Sequence, residues 1–499
     1  MWYLTHVVTL GDDAAPHGAG LSDLEVFWFD NAPYLFTGAV ADGGIMRLSL
    51  REGTQAQPEQ EVWATINTGT LGLTDLERVT LGDQDFLLGA GRHSEFPVLR
   101  VLRPDGSIGG LRTIDAGDAE LRGWSHSTQF RAGDTDMLAV ARHGDAGLQV
   151  FEMTDDFEFG LRLRLDDSPK TPLGAVSALT SLEIGADTFV ITASAAASGV
   201  TSFRVQADGT MQETDVISAQ LGMPVAGTSA LALAEVAGTQ FVLAGSTNSS
   251  TITALRMNEL GVFFVEDQVM DNLATRFQGL VDLDSFSIGA RSFVVAGGAD
   301  DGLSLFELGP TGQLFHVQSV ANQPGQGLQG VQSVGATRIG DDVQIFAGGQ
   351  GDTGLVQLRM DAGRVGELII GGPGDDTLQG GARDDHLEAG GGDNVLRGGA
   401  GDDRLVAGPG ENRLFGGAGA DVFVFRPGGG RDRIMDFEHG VDRIDLSAYA
   451  MLHSPGGLDI AGTHDGARIL VQGDEIRIRT EDRAPLAPQD FTPDDFLFL

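Results

Sequence analysis

Seven short apolar runs, each ending in small residues, recur along the first 360 residues with their last residues 51 or 52 apart. They are Leu35–Ala39, Phe86–Ala90, Met137–Ala141, Phe189–Ala193, Phe241–Gly245, Phe293–Gly297 and Gln344–Gly348. A period this regular means one supersecondary unit repeated, each copy burying its apolar face against the next. The sixth copy resolves into four strands. Leu283–Ile288 reads as the first, and Phe293–Ala296 is an unbroken apolar run expected of a strand buried on both faces. Leu303–Leu308 is the third, and Leu314–Val320 alternates as a half-exposed edge strand should. Four strands per repeat, set radially, make a β-propeller blade, so seven repeats predict a seven-bladed ring. Tyr3–Leu10 looks like a fourth strand without its other three. It is expected to complete the seventh blade and close the ring by backbone hydrogen bonds, leaving no open edge.

From Gly371 the period falls to nine. Six segments follow one another, beginning at Gly371, Gly380, Ala389, Gly398, Ala407 and Gly416. The shared pattern is two small residues, any residue, Gly, an acidic residue or another, Asp or Asn, any residue, then an apolar residue. Glycines such as Gly374, Gly401 and Gly419 allow backbone turns that aim several carbonyls at one point. The sixth position adds a side-chain oxygen: Asp376, Asp385, Asn394, Asp403, Asn412 and Asp421. Carbonyls plus carboxylates suit calcium, a hard cation that takes six to eight oxygens. The eighth position (Leu378, Leu387, Leu396, Leu405, Leu414, Phe423) is apolar throughout and should point inward.

In these repeats the chain resembles the RTX (repeats-in-toxin, haemolysin-type calcium-binding) proteins. The resemblance implies a parallel β-roll whose turns alternate between two sides, with Ca2+ held between stacked turns. Gly371, Gly380, Gly398 and Gly416 open such turns. One side would carry Asp385, Asp403 and Asp421, the other Asp376, Asn394 and Asn412. Neutral amides weaken calcium binding, so the second side is expected to bind more loosely or stay partly empty. Arg383 in place of the fourth glycine is expected to alter its turn. Ala420–Phe425, Asp432–Phe437 and Gly440–Ser447 look like the cap that follows RTX rolls. The final Phe491–Leu499, an acidic pair followed by apolar residues, is similar to the signal read by type I secretion systems. The implied partner is a type I ABC transporter and the implied location extracellular, with no N-terminal signal peptide expected.

Composition agrees. With 32 basic against 71 acidic residues the net charge is −39, which argues against nucleic acid and anionic membranes as partners. No cysteine is present, which excludes disulfides, thiolate metal sites and cysteine nucleophiles. Lys170 is the single lysine, so Schiff-base chemistry is not expected. No apolar stretch is long enough to span a membrane. The expected organisation is all-β: a seven-bladed propeller over 1–365, a parallel β-roll over 366–425 and a C-terminal β cap over 426–499.

What the propeller does must be read at its central mouth. Aligned at the start of each first strand, the blades present Asp23, Asp75, His126, Ala178, Ala230, Asp282 and Ser333. Ring adjacency joins Asp282, Ser333, Asp23, Asp75 and His126 into one polar arc. The loops after the second strands open on the same end and bring Asp42, Arg92 with His93, Arg142 with His143, Asp300 with Asp301, and Asp352. Two functions fit. One is an extracellular recognition platform for a glycan or protein ligand, its arc locking blades together through backbone amides. The other is a secreted enzyme, a lactonase-like hydrolase or polysaccharide lyase, using Asp23, Asp75 and His126 with Arg92, His93, Arg142 and His143. Neither G-x-S-x-G nor H-E-x-x-H is evident, so the protease common among RTX proteins is not expected here.

Overall fold

The computed structural model describes residues 4–498 apart from 11–19, 41–42, 64–71, 92–95, 116–120, 224 and 350–353. It divides into two compact units, one built from residues 3–287 and 292–360, the other mainly from 361–499.

The first unit is the seven-bladed propeller. Seven four-stranded antiparallel sheets follow the repeat. In six of them the strands run in sequence order from the inside out, as in Leu21–Phe29, Ala32–Ala39, Ile45–Ser49 and Gln57–Val62 of blade 1. Blade 7 is the exception that closes the ring. Its three strands Val331–Ile339, Asp342–Gly349 and Leu355–Asp361 are joined on the outside by Thr5–Leu10 from the other end of the chain, with Leu10 opposite Leu355. The second strands are the apolar runs that set the period. Arg291–Gly297 is buried along its whole length, since its two faces pack on different neighbours. The cores lie between blades. Phe86, Leu88 and Leu99 of blade 2 pack with Trp124, Leu138 and Phe151 of blade 3, and Val190 and Phe203 of blade 4 with Phe130 and Val150 of blade 3.

Six of the inner strands carry the same irregularity. The pairing register shifts between Leu21 and Asp23, Leu73 and Asp75, Trp124 and His126, Val176 and Ala178, Thr228 and Ala230, and Val331 and Ser333. A bulge there re-aims the side chain that follows it, and the repeated bulge gives these six aligned positions one orientation.

The second unit is the roll. Thr377–Gln379, Val395–Ala400 and Arg413–Ala418 stack in parallel on one side, Asp384–Glu388, Arg404–Val406 and Val422–Val424 on the other. Register is 18 residues, two nonapeptides, as Leu387 opposite Leu405 shows. The eighth-position side chains are buried and form one cluster with Ile434, Phe437, Ile444, Ile476, Ile478 and Phe496. The last stretch continues both sheets: Arg431–Phe437 and Asp474–Thr480 extend one, Arg443–Asp445 and Phe496–Leu497 the other. At the fourth position Gly392 (93°), Gly401 (113°), Gly410 (123°) and Gly419 (136°) take positive φ, whereas Arg383, like Gly374, does not, so its turn departs from those four. Among the described residues no helix is long and apolar enough to cross a membrane.

The closing strand yields a test. Removing residues 4–10 should lower the propeller's melting temperature and promote association through the bared edge of Leu355–Asp361. Leu10→Ala should cost about 2–5 kcal/mol, the usual range for truncating a buried leucine. An unchanged melt by calorimetry for both would show that this strand does not hold the ring shut.

Candidate functional site

The channel through the propeller is lined by the inner strands. Alternation puts residues two apart on the same face, so each aligned position is followed by a second one. Blade 1 presents Asp23 and Glu25, blade 2 Asp75 and Glu77, and blade 6 Asp282 and Asp284. These six carboxylates keep part of their surface open to the channel and are otherwise enclosed by protein.

Five of them bond to the next blade, four to its main chain and one to a hydroxyl. Asp23 accepts from the Leu24 amide at 3.0 Å and from the Leu76 amide of blade 2 at 2.5 Å. Asp75 accepts from the Ser127 hydroxyl of blade 3 at 2.6 Å, and Glu77 from the Gln129 amide at 3.2 Å. Asp282 reaches the Val334 amide at 2.9 Å and Asp284 the Ala336 amide at 2.8 Å, both in blade 7. Glu25 accepts no hydrogen bond that the described residues offer it in these contacts, although Asp23, Glu77 and Asp284 all bear on it.

Burial is the main electrostatic cost. It pushes Asp75 and Glu77 up to about 8, Asp282 to about 7 and Asp284 to about 6. Asp23 is driven well above the ordinary carboxylate range by burial first, then by Asp75, with a smaller push from Asp282. Glu25 is raised likewise, by burial and then by Asp23. The accepted amide bonds oppose these shifts without cancelling them. Carboxylates of blades 6, 1 and 2 therefore share one electrostatic environment, in which burial and mutual repulsion favour their protonated forms.

The other mouth positions are more dispersed. His126 is half-buried, its Nδ1 3.3 Å from Ser125 Oγ. Arg142 donates to the Arg122 carbonyl at 2.9 Å and pairs with Asp145 at 2.9 Å, while His143 is exposed. Arg92, His93, Asp42 and Asp352 lie outside the described residues. Among the described residues no three acidic or imidazole side chains converge closely enough to hold a metal by themselves. Glu25, Glu77 and Asp284 were not singled out from sequence. The signal was the D-L-E and D-L-D spacing itself, which puts both acids on the channel face.

The roll is a second candidate site, built mainly from main-chain oxygens. Sixth-position side chains form ladders along each side: Asp403 accepts from the Asp385 amide at 2.7 Å, Asp421 from the Asp403 amide at 2.9 Å, and Asp442 from the Asp421 amide at 3.0 Å. The second oxygens of Asp403 and Asp421 are fully buried and have no hydrogen-bond partner among the described residues. A Cβ on Gly398 or Gly416 would sit 2.2 or 2.1 Å from those same oxygens, so only glycine leaves the cradle open. Burial pushes Asp403 up to about 8 and Asp421 to about 7, with neighbouring carboxylates adding repulsion. Two buried, undonated carboxylate oxygens in a carbonyl-rich turn fit a hard cation. Calcium held there by Asp385, Asp403, Asp421 and turn carbonyls would supply the positive charge these oxygens lack. Fifth-position acids, overlooked in the sequence reading, run a ladder in the opposite sense. Asp384 accepts from the Asp402 amide and Asp402 from the Ala420 amide, each at 2.8 Å. The doubled acid in Asp375–Asp376, Asp384–Asp385 and Asp402–Asp403 was the available clue.

The RTX calcium-binding nonapeptide repeat matches the chain over residues 370–405 and 397–434. No curated protein matches its sequence. Among solved structures it is similar to a structural-genomics target from Lactobacillus plantarum, at 16% identity and a TM-score of 0.43, covering 64% of this chain and 91% of that one. It is also similar to a Bacteroides uniformis protein described as a "putative 6-phosphogluconolactonase", at 13% identity and a TM-score of 0.44, covering 60% of this chain and 85% of that one.

The channel carboxyls set a pH dependence. Their folded-state values lie above the unfolded ones, so the native state binds more protons. Stability is therefore full below about pH 4 and falls as pH rises toward about 8. The propeller should melt at a higher temperature at pH 5.5 than at pH 8.5. Glu25→Gln should raise the melt at pH 8.5 and leave it nearly unchanged at low pH. A flat profile for the parent, or a variant less stable at both values, would contradict this electrostatic picture.

Proposed function

Because the chain carries calcium-binding RTX nonapeptide repeats beside a seven-bladed propeller, we propose that it is an exported, extracellular recognition protein. Its propeller binds a glycan at the channel mouth, and its roll makes folding depend on calcium. Export unfolded through a type I ABC transporter would suit the roll. Where calcium is scarce its clustered carboxylates repel one another, and where calcium is abundant binding energy becomes folding energy.

The observation that carries the binding reading is the division of labour at the mouth. Five of the six channel acids are engaged in joining blades, whereas aromatic side chains are exposed at the same end of the propeller. Strand register puts Val62 opposite Ile45 and Val98 opposite Gly89, so Trp63 and Phe96 lie at the same end of blades 1 and 2 as Asp23 and Asp75, Trp63 after the outermost strand and Phe96 before the third, on the outer part of that face. Trp63 is 59% exposed and Phe96 41%. The exposed His143 stands at the mouth end of blade 3. Exposed aromatics in a polar rim are what sugar rings stack on, and large exposed apolar side chains mark interaction surfaces.

The test is a glycan array probed in calcium with the full chain, alongside screens for lactone hydrolysis and polysaccharide cleavage. Binding that falls at least tenfold in Trp63→Ala with Phe96→Ala, without turnover, is the expected result. Turnover abolished by Glu25→Gln or Asp75→Asn, with binding indifferent to the aromatic pair, would overturn it in favour of the enzyme. Calcium removal should selectively melt residues 361–499, read by hydrogen exchange, and leave the propeller protected. Simultaneous loss of both units would refute that part.

A further inference from the structure

The two sides of the roll differ at their two interior turns. On one side stand Asp403 and Asp421, 1% exposed, each with one undonated oxygen. On the other stand Asn394 and Asn412, 1% and 0% exposed, which fill the same positions of the ladder. Asn394 Oδ1 accepts from the Asp376 amide at 2.7 Å, and Asn412 Oδ1 accepts from the Asn394 amide at 3.0 Å. Those incoming N–H groups fix which end of each carboxamide is oxygen, because a flipped group would set donor against donor. The nitrogen ends are therefore committed to the turn. Asn394 Nδ2 donates to the Gly391 and Gly392 carbonyls at 3.2 and 3.0 Å. Asn412 Nδ2 donates to the Gly408 carbonyl at 2.8 Å and to Asp432 Oδ1 at 3.0 Å.

We propose that the Asn394–Asn412 side closes without a metal ion, its carboxamide N–H groups donating to the turn oxygens that a cation would otherwise draw together. The substitution of Asn for Asp is then a replacement of the ion and not a weakened ligand. A carboxamide matches a carboxylate in shape, but it brings two protons where the carboxylate brings a charge. With three of those bonds made to turn carbonyls and one to the Asp432 carboxylate, calcium entering this side would have to break four hydrogen bonds and would meet N–H groups. On the other side the buried oxygens of Asp403 and Asp421 face the turn with nothing donated to them, and burial without a partner is costly. Calcium dependence thus resides in one side of the roll, and the side that starts at Asp376 and ends on Asp432 is held by hydrogen bonds alone at its interior turns.

The experiment counts calcium on the full chain by native mass spectrometry and by titration calorimetry. Asn394→Asp with Asn412→Asp should gain at least one bound calcium per chain over the parent. Asp403→Asn with Asp421→Asn should lose at least one and still fold, with Asp384–Glu388 and Arg404–Val406 now keeping hydrogen-exchange protection in chelator. An unchanged calcium count in the first variant, measured on protein shown to be folded in calcium, overturns the proposal. So does a second variant that folds only in calcium with the parent's stoichiometry. A parent that binds no calcium at all would instead overturn the calcium-dependent folding of the roll, which is a separate failure.

Discussion

Both units are held together by the same interaction, a short polar side chain reaching across to the main chain of the neighbouring repeat. In the propeller the reach spans about one blade period, as in Asp23 to Leu76, Asp282 to Val334 and Ser22 Oγ to the Leu73 carbonyl at 2.6 Å. Asp215 and Asp267 do the same farther out, accepting from the Phe263 and Leu314 amides at 2.8 Å. In the roll the reach spans 18 residues, from Asp403 to Asp385 and from Asn412 to Asn394. Neighbouring blades share no strand pairing, so polar side chains and apolar packing tie them together. A turn in the roll has too few residues to bond its own amides, so it borrows acceptors from the next turn. The dependence on acceptors explains why acids dominate the chain without any basic partner surface to match.

That choice of acceptor has a consequence. A carboxylate accepts two amide bonds without offering a donor, which suits a main-chain N–H pair, but it also brings charge into enclosed places. The two units relieve the charge differently. In the channel the acids are raised toward neutral pH, so protons are held there. In the roll the geometry leaves the second oxygens of Asp403 and Asp421 buried without a donor, where a proton satisfies one contact and a divalent cation can satisfy several.

Periodicity made the architecture legible. The 51-residue and nine-residue spacings carried blade number, strand order, ring closure by Thr5–Leu10 and the inward eighth position, and the resemblance of the nonapeptides to RTX repeats implied the two-sided roll. Position in a repeat was legible too, which is why Asp23, Asp75 and Asp282 could be aligned. What a repeat does not encode is where a side chain's second oxygen points. Asp75 and Glu25 have similar neighbours in sequence, yet the first is bonded across the seam and the second has only like charges bearing on it. The fate of Asn394 was equally hidden, because a loose ligand and a substitute for the ion have the same one-letter code and differ only in where the amide nitrogen lies. Arg383 went the other way: the pattern asks for glycine, but the backbone at that turn never enters the region that requires it.

The unevenness of the channel follows from the same physics. Blades 4 and 5 put Ala178, Thr180, Ala230 and Ala232 where blades 1, 2 and 6 put acids, and blade 3 puts His126 and Thr128. Two acids in every blade would close a ring of like charges in an enclosed space, each raised by burial and by two neighbours instead of one. Restricting the acids to blades 6, 1 and 2 leaves the opposite wall neutral. That wall ties its blades with hydroxyls, Ser177 Oγ donating to the Thr228 carbonyl at 2.6 Å and Ser229 Oγ to the Leu280 carbonyl at 2.9 Å. Hydroxyls join seams at no electrostatic cost but donate to carbonyls and leave amides unanswered, whereas acids answer amides and accumulate charge. A ring built wholly from either would carry that device's defect all the way round; combining the two confines the repulsion to one arc, and that arc includes the blade that the terminal strand closes against its neighbour.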